Sequence, residues 1–250
     1  MARTRSRRLA VWLTGGVVAL AVLVTGGTWL YIHVIEGPAP PPLSLSSPGP
    51  TSPAASAPAT SASPAAASSG PAAVTGSVNG TWRVTSGSQV GYRVNEVLAG
   101  QNNVAVGRTG DISGSLTISR DTVTAATFTV QMATIKSDES QRDAQFNGRI
   151  MQTSTYPTGT LTLSAPIRLG TPPAANVVKT YHATARLTLH GHTRTVTFAL
   201  KAERTSAGIA VSGSIPVVFA DYGISNPSFA GFVTTQNHGL LEFLVRFGAG

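Results

Sequence analysis

The pattern of apolar and polar positions divides the chain into three parts. Residues 9–32 form a run of 24 residues without a charge, residues 37–78 are nearly all Pro, Ala, Ser, Thr and Gly, and apolar and polar residues alternate after Gly80. These patterns predict a long apolar helix, an unfolded segment and a set of β-strands, respectively.

The alternating part predicts an all-β, antiparallel domain over residues 79–248. Strands with apolar residues on one face alone are typical of sheets with one buried and one solvated side. Turn-forming pairs such as Gly110-Asp111 and Arg120-Asp121 separate the runs. We count about eight strands, which fits a barrel or a sandwich, and closing the sheet into a barrel would remove its exposed edges.

One segment of this domain predicts a short helix. Residues 136–151 (KSDESQRDAQFNGRIM) are rich in helix formers, with acidic residues early and Arg149 late, which suits the helix dipole. Ser137 or Ser140 can cap the start of the helix, and Phe146 and Ile150, four residues apart, would face the sheet together. We expect this helix to cover one end of the barrel and to end before Tyr156-Pro157.

The apolar run near the N-terminus predicts a single membrane-spanning helix over residues 9–35. Its 24 uncharged residues reach about 36 Å as a helix, enough to cross a hydrocarbon core of about 30 Å. Trp12 and Trp29 lie near its two ends, and the basic tail of residues 1–8 predicts a cytoplasmic N-terminus. A cleaved signal peptide is the alternative, although bulky residues stand where small ones would precede a cleavage site. The later domain is therefore expected outside the cytoplasm, tethered to the cell membrane by one pass.

Residues 36–78 predict a disordered linker. Ten of the 16 prolines fall between Pro38 and Pro71, and such a composition cannot bury enough apolar surface to fold. At the rise of a polyproline helix this spacer would reach at most about 120 Å.

Composition excludes several classes of function. The net charge of +8 includes four arginines ahead of the apolar run, and the remaining charges show no basic cluster, so we expect no nucleic-acid partner. The chain has no cysteine, which excludes disulfides, thiolate metal sites and a cysteine nucleophile.

Several motifs of the domain resemble the YceI-like family of lipocalin-like, polyisoprenoid-binding proteins. They are, in chain order, Trp82, Arg142-Asp143, Tyr156-Pro157, the hairpin of residues 187–196 (LTLHGHTRTV) and the segment of residues 221–224 (DYGI). The resemblance covers about 170 residues and none of the predicted anchor or linker. It implies an eight-stranded lipocalin-like barrel with one short helix, which binds a polyisoprenoid or other long-chain lipid inside.

The resemblance and the alternation together suggest a set of residues that would contact such a ligand. An eight-stranded barrel has just enough interior for one slender molecule if its lining side chains are not too large. The expected ligand-binding residues are Tyr92, Val94, Phe128, Val130, Met132, Phe146, Ile150, Leu163, Phe219 and Phe243. The same residues would equally fill a solid core, and alternation does not separate these two cases.

The polar residues allow other interpretations. His190-Gly191-His192 would give two metal ligands, with His182 or His238 as a third, but it reads more simply as a hairpin turn. Asp143 with a histidine and a serine could be written as a catalytic triad, yet no G-x-S-x-G motif occurs.

Arg142 is a candidate for binding a ligand head group at the barrel mouth, or else forms a structural ion pair that ties the helix to the sheet. The loop of residues 226–232 could gate the mouth. We expect no catalytic residues, no metal and no cofactor.

Three functions remain as hypotheses. The first is a membrane-anchored, extracytoplasmic lipid-binding protein, and the second is a solid-core interaction module displayed on a stalk at the cell envelope. The third is an enzyme, which we do not favour because it would need convergent polar groups inside the barrel. A homodimer is possible in each case.

Overall fold

The structure is a computed structural model of the 250-residue chain. It describes residues 39–45, 78–98, 100–171, 174–228 and 233–250. The predicted basic tail (1–8) and anchor helix (9–35) lie outside these residues, as does most of the predicted linker. Among the residues described, no helix is long and apolar enough to cross a membrane.

Twelve strands form one sheet in the described residues. They are β1 (Gly80–Val84), β2 (Gln89–Leu98), β3 (Gln101–Thr109), β4 (Ile112–Ser119), β5 (Thr122–Gln131), β6 (Thr158–Leu163), β7 (Ile167–Arg168), β8 (Lys179–Leu189), β9 (His192–Thr205), β10 (Gly208–Val218), β11 (Val233–Thr235) and β12 (His238–Ala249).

Eight of these strands close into an antiparallel barrel. Their order is β1-β4-β5-β6-β8-β9-β10-β12, and β12 pairs back onto β1 through Trp82–Ala249, Arg83–Gly248 and Val84–Phe247. The other half of β12 pairs with β2, which also pairs with β3 and β11. The fold is therefore all-β and antiparallel, as the alternation predicted, and it is the closed eight-stranded barrel that the family resemblance implied.

Tight turns join neighbouring strands where the sequence indicated them. Arg120 and Asp121 both have positive φ (47° and 57°) between β4 and β5, and His190 and Gly191 do so (48° and 76°) between β8 and β9. Two consecutive residues with positive φ match the right-handed twist of the flanking strands, as in a type I′ hairpin. His190-Gly191 is thus the hairpin turn that the simpler interpretation expected.

The predicted helix is present but shorter than its pattern. Helix α1 spans Ser140–Gln145 and passes directly into a π-helical turn, Phe146–Ile150. The expected caps were wrong, because Glu139 occupies the N-cap position without a side-chain cap. Ser137 instead donates its hydroxyl to Asp143 (2.8 Å), so its side chain fastens the approach to the helix rather than its first turn. Two 3₁₀ turns, Met132–Thr134 and Phe219–Tyr222, complete the helical elements described.

Trp82 occupies the end of the barrel opposite to helix α1. Its ring is 3% exposed, and its indole N–H donates to the carbonyl of Val78 (2.8 Å). Trp82 lies opposite Leu116 in β4 and Ala249 in β12. A buried indole with a satisfied N–H combines a large apolar contact with no polar cost, which accounts for this residue at the barrel end.

Candidate functional site

The barrel encloses a cavity of about 650 Å³. Its wall consists of the inward-facing residues of β4–β6, β8–β10 and β12, together with β2 and the helical segment. The volume falls within the range of about 300–1,000 Å³ that is usual for ligand pockets. The barrel is therefore hollow, and the solid core that the sequence left open is not what the structure shows.

All ten predicted ligand-binding residues line this cavity. Met132, Phe146 and Phe243 are also part of the buried apolar cluster, whereas six others pack against it with part of their surface facing the cavity. Phe219 reaches the cavity from the first position of the 3₁₀ turn that follows β10. The structure thus brings these residues together, and their contact with a ligand stays a prediction.

Small residues, which the sequence analysis did not select, make room inside the barrel. Ala126, Ala183 and Ala185 point into the cavity from β5 and β8, and Ala183 and Ala185 are only 2% and 1% exposed. A large apolar side chain at these positions would occupy the space. The sequence feature that could have indicated this space is the presence of alanines at inward-facing positions of the alternating strands.

Tyr92 connects the cavity wall to the helical segment. Its ring stacks on Phe146 with centroids 5.2 Å apart. Its other neighbour is Gly107 on β3, where an added Cβ would lie 2.4 Å from the tyrosine ring. Burial raises the pKa of Tyr92 to about 12, so this hydroxyl is neutral at physiological pH. Gly107 therefore provides the space in which Tyr92 supports the helix.

Arginines of the helical segment tie it to the barrel rim. Arg142 pairs with Glu96 of β2 (3.5 Å) and with Asp138 one turn earlier. Arg149 donates to Gln145 (3.1 Å) and to the carbonyl of Pro227 (3.1 Å). The structural ion pair considered for Arg142 is present, with Glu96 as its partner on the sheet. Arg142 also borders the cavity, so a head-group contact stays a prediction.

Asp143, the acid of the alternative catalytic triad, has structural partners. It accepts hydrogen bonds from the backbone N–H and the hydroxyl of Ser137, both at 2.8 Å. Lys136 lies 3.6 Å from its other oxygen. These contacts hold the residues before helix α1 in place, and both carboxylate oxygens of Asp143 take part in them.

Among the residues that the structure describes, His182 and His190 do not meet at one site. His190 is buried, its ring packs at a tilt against Tyr156 (centroids 4.4 Å apart), and its Nδ1 contacts the carbonyl of Tyr222 (3.2 Å). His182 lies on β8 (Lys179–Leu189), eight residues before His190 in the following turn, which is about 26 Å at the rise of a strand. Groups of three or more possible metal ligands are absent from the described part of the chain.

The loop before β11 is anchored at its base. The side-chain oxygen of Asn226 accepts from the backbone N–H of Ser228 (2.8 Å) and from the hydroxyl of Thr235 (2.8 Å). Pro227 and Thr235 border the cavity. Phe229 and Phe232, the two aromatic residues of the predicted gate, lie outside the described residues.

Fold and cavity together define a lipocalin-like β-barrel with a hollow apolar interior. The model of the YceI-like domain matches residues 82–247, and the chain belongs to the YceI-like family. A search of curated proteins gives no match.

The chain is similar to several solved structures. A polyisoprenoid-binding domain from Saccharophagus degradans, implicated in plant cell wall breakdown, has a TM-score of 0.55 at 17% identity over 69% of this chain and 99% of its own. Burkholderia cenocepacia BcnA has a TM-score of 0.48 at 20% identity over 62% and 94%. The Campylobacter jejuni YCEI protein has a TM-score of 0.41 at 13% identity over 56% and 84%.

Proposed function

We propose that this protein binds one long-chain lipid, a polyisoprenoid or a similar amphiphile, with its apolar chain inside the barrel. The observation that carries the proposal is the cavity of about 650 Å³, which is enclosed by apolar residues of the barrel strands. An apolar cavity of this size cannot be stabilised by water, because water needs several polar partners. A slender hydrocarbon chain can fill the cavity and contact its apolar wall without needing polar partners.

The binding energy would come from burial of the hydrocarbon chain. Each methylene transferred from water contributes about 0.8 kcal/mol, so affinity rises with chain length until the cavity is full. Polar groups are few along the wall, and selection would therefore depend on width and length more than on hydrogen bonding. The similar domain from Saccharophagus degradans, described as polyisoprenoid-binding, supports a branched, slender chain.

The polar end of the ligand would lie at the helical end of the barrel. Glu96, Gln141, Arg142, Gln145 and Arg149 border the cavity there. Arg149 is exposed, while Arg142 is ion-paired with both Glu96 and Asp138. An anionic head group would pair with these guanidinium groups at the rim and keep its charge in water.

We further propose that the protein works at the outer side of the cytoplasmic membrane. The uncharged run of residues 9–32, with arginines on its N-terminal side, supports a single-pass anchor with the barrel outside. A tethered barrel would then exchange its ligand with the adjacent lipid layer.

Solvent extraction of the purified full-length protein, followed by mass spectrometry, tests the proposal. We expect about one equivalent of a long-chain lipid, or uptake of an added polyprenol by lipid-free protein. Ala183→Phe, which fills the cavity from β8, should lower this stoichiometry at least several-fold. Ala199→Phe is the matched control, because Ala199 is exposed on the outer face of β9. Protein that carries no lipid and takes up none when it is added would refute the proposal.

A further inference from the structure

The outer wall of the barrel near β3, β2 and β12 is buried where an antiparallel barrel normally meets solvent. Val106, Glu242 and Leu244 alternate with the cavity-lining residues of their strands and so point outward. They are nevertheless only 6%, 3% and 2% exposed. Two strands along the barrel from β12, the outward residues Thr195 and Thr197 of β9 are exposed. Something therefore covers the outer face of β3, β2 and β12 and leaves the outer face of β9 exposed.

The covering element is a short piece of the predicted linker, residues 39–45 (APPPLSL). Leu43 is 7% exposed although it is not part of the apolar cluster inside the barrel. Pro40 borders a surface hollow shared with Val104, Val106 and Arg108. For these seven residues the expectation of a disordered linker does not hold, since they lie against the barrel.

Two arginines hold the backbone of this segment. Arg93 donates to the carbonyl of Pro40 (2.6 Å), and Arg108 donates to the carbonyl of Pro41. Both arginines also contact the buried carboxylate of Glu242, at 2.7 Å for Arg93 and 3.5 Å for Arg108. Glu242 thus fixes the two guanidinium groups in position and leaves their outer N–H groups directed at the segment.

The chemistry of the segment complements this wall. Consecutive prolines have no N–H groups and offer only carbonyl acceptors, whereas guanidinium groups offer only donors. A proline-rich strand is also extended before it binds and loses little conformational entropy on docking.

We propose that the outer face formed by Arg93, Val106, Arg108, Glu242 and Leu244 is a binding site for a proline-rich peptide, and that its occupant is this chain's own segment of residues 39–45. The site is separate from the lipid cavity and does not depend on the proposed ligand. A tether of 32 residues (46–77) joins the segment to the barrel. Since linked partners experience an effective concentration of about 1 mM, a modest intrinsic affinity is enough to keep the segment docked.

Docking would set the distance of the barrel from the membrane. The segment begins four residues after the predicted anchor (9–35), so the docked barrel stays close to the membrane surface. When the segment is released, the whole linker becomes available and the barrel can move away by up to about 120 Å. The segment therefore acts as a latch between a membrane-adjacent and an extended position.

Thiol reactivity tests the latch, because the chain has no cysteine of its own. Val106→Cys in the full-length protein should react slowly with a soluble maleimide. Leu43→Asp, which changes only the segment, should raise that rate at least ten-fold. Excess synthetic peptide of residues 39–45 should restore the slow rate, whereas the same peptide with Leu43→Asp should not. An unchanged rate in the Leu43→Asp protein would overturn the proposal.

Two further reporters make the outcome specific. Thr197→Cys on the exposed outer face of β9 should react quickly with or without Leu43→Asp. Ala185→Cys inside the barrel should stay unreactive in both, which shows that the barrel remains folded; equal exposure of this residue and Val106→Cys would overturn the proposal. Protection of Val106→Cys that disappears on dilution would assign the site to the segment of a second copy and overturn the intrachain assignment.

Discussion

The effect of Ala185→Leu on stability distinguishes a hollow barrel from one with a solid core. Ala185 is 1% exposed on β8, and its neighbours across the sheet are Leu163 and Val196. Its methyl group borders the cavity. In a tightly packed core three extra carbons force strain, and such overpacking usually costs about 1–3 kcal/mol. In a hollow barrel the same carbons enter space that already exists.

The expected change is a gain in stability of the lipid-free protein. Three carbons at about 0.8 kcal/mol each, reduced by roughly 0.5–1 kcal/mol for the lost rotamer freedom of leucine, leave about 1–2 kcal/mol. For a domain of this size that corresponds to a rise in Tm of roughly 2–8 °C. The same substitution should weaken ligand uptake, because the leucine occupies part of the volume that the lipid would fill.

Thermal and denaturant unfolding of delipidated protein, followed by circular dichroism, measures the effect. Ala199→Leu adds the same atoms to the exposed outer face of the neighbouring strand β9 and should change stability by less than about 0.5 kcal/mol. A loss of 1 kcal/mol or more in Ala185→Leu, with lipid uptake unchanged, would refute the hollow interior.

Three other substitutions test the contacts around the helical segment. Gly107→Ala places a methyl group 2.4 Å from the ring of Tyr92, so unfolding should become easier by about 1–3 kcal/mol and proteolysis should cut the helical segment first; wild-type resistance would contradict this. Burial raises the pKa of Tyr92 from 10.0 to about 12, so the contribution of its neutral hydroxyl to the free energy of unfolding is complete below pH 10. Up to roughly 2–3 kcal/mol of that stability is lost as the pH rises from 10 to 12. Tyr92→Phe should remove this part of the loss of stability at alkaline pH. If stability falls equally with pH in the wild type and in Tyr92→Phe, the prediction is wrong. Arg142→Met removes the link to Glu96 and should speed lipid release for all ligands equally, whereas a loss confined to anionic lipids would assign Arg142 to the head group.

The sequence alone determined the fold because period-2 alternation is a local property. Each strand with apolar residues at every second position must bury one face, and the turn pairs Arg120-Asp121 and His190-Gly191 have the positive φ that such hairpins need. The helical segment was recognised for the same reason, from residues close in the chain. Its caps were wrong, because Ser137 has a better partner in the Asp143 side chain, which only the folded loop brings near.

The interior of the barrel needed the tertiary structure. Inward-facing residues were identified from alternation, but whether they meet across the barrel depends on strand tilt and on the sum of many side-chain volumes. Alanines at inward-facing positions such as Ala183 and Ala185 leave spare volume, but whether that volume stays open depends on the side chains of the opposite wall.

The docking of residues 39–45 on the barrel could likewise not be predicted from the sequence. Composition alone assigns residues 39–45 to an unfolded linker, since the segment cannot bury its own apolar groups. Its partners Arg93, Arg108 and Glu242 are between 48 and 203 residues away in the chain. Only closure of β2, β3 and β12 side by side creates a surface that complements it, because long-range contacts are not encoded in any local pattern.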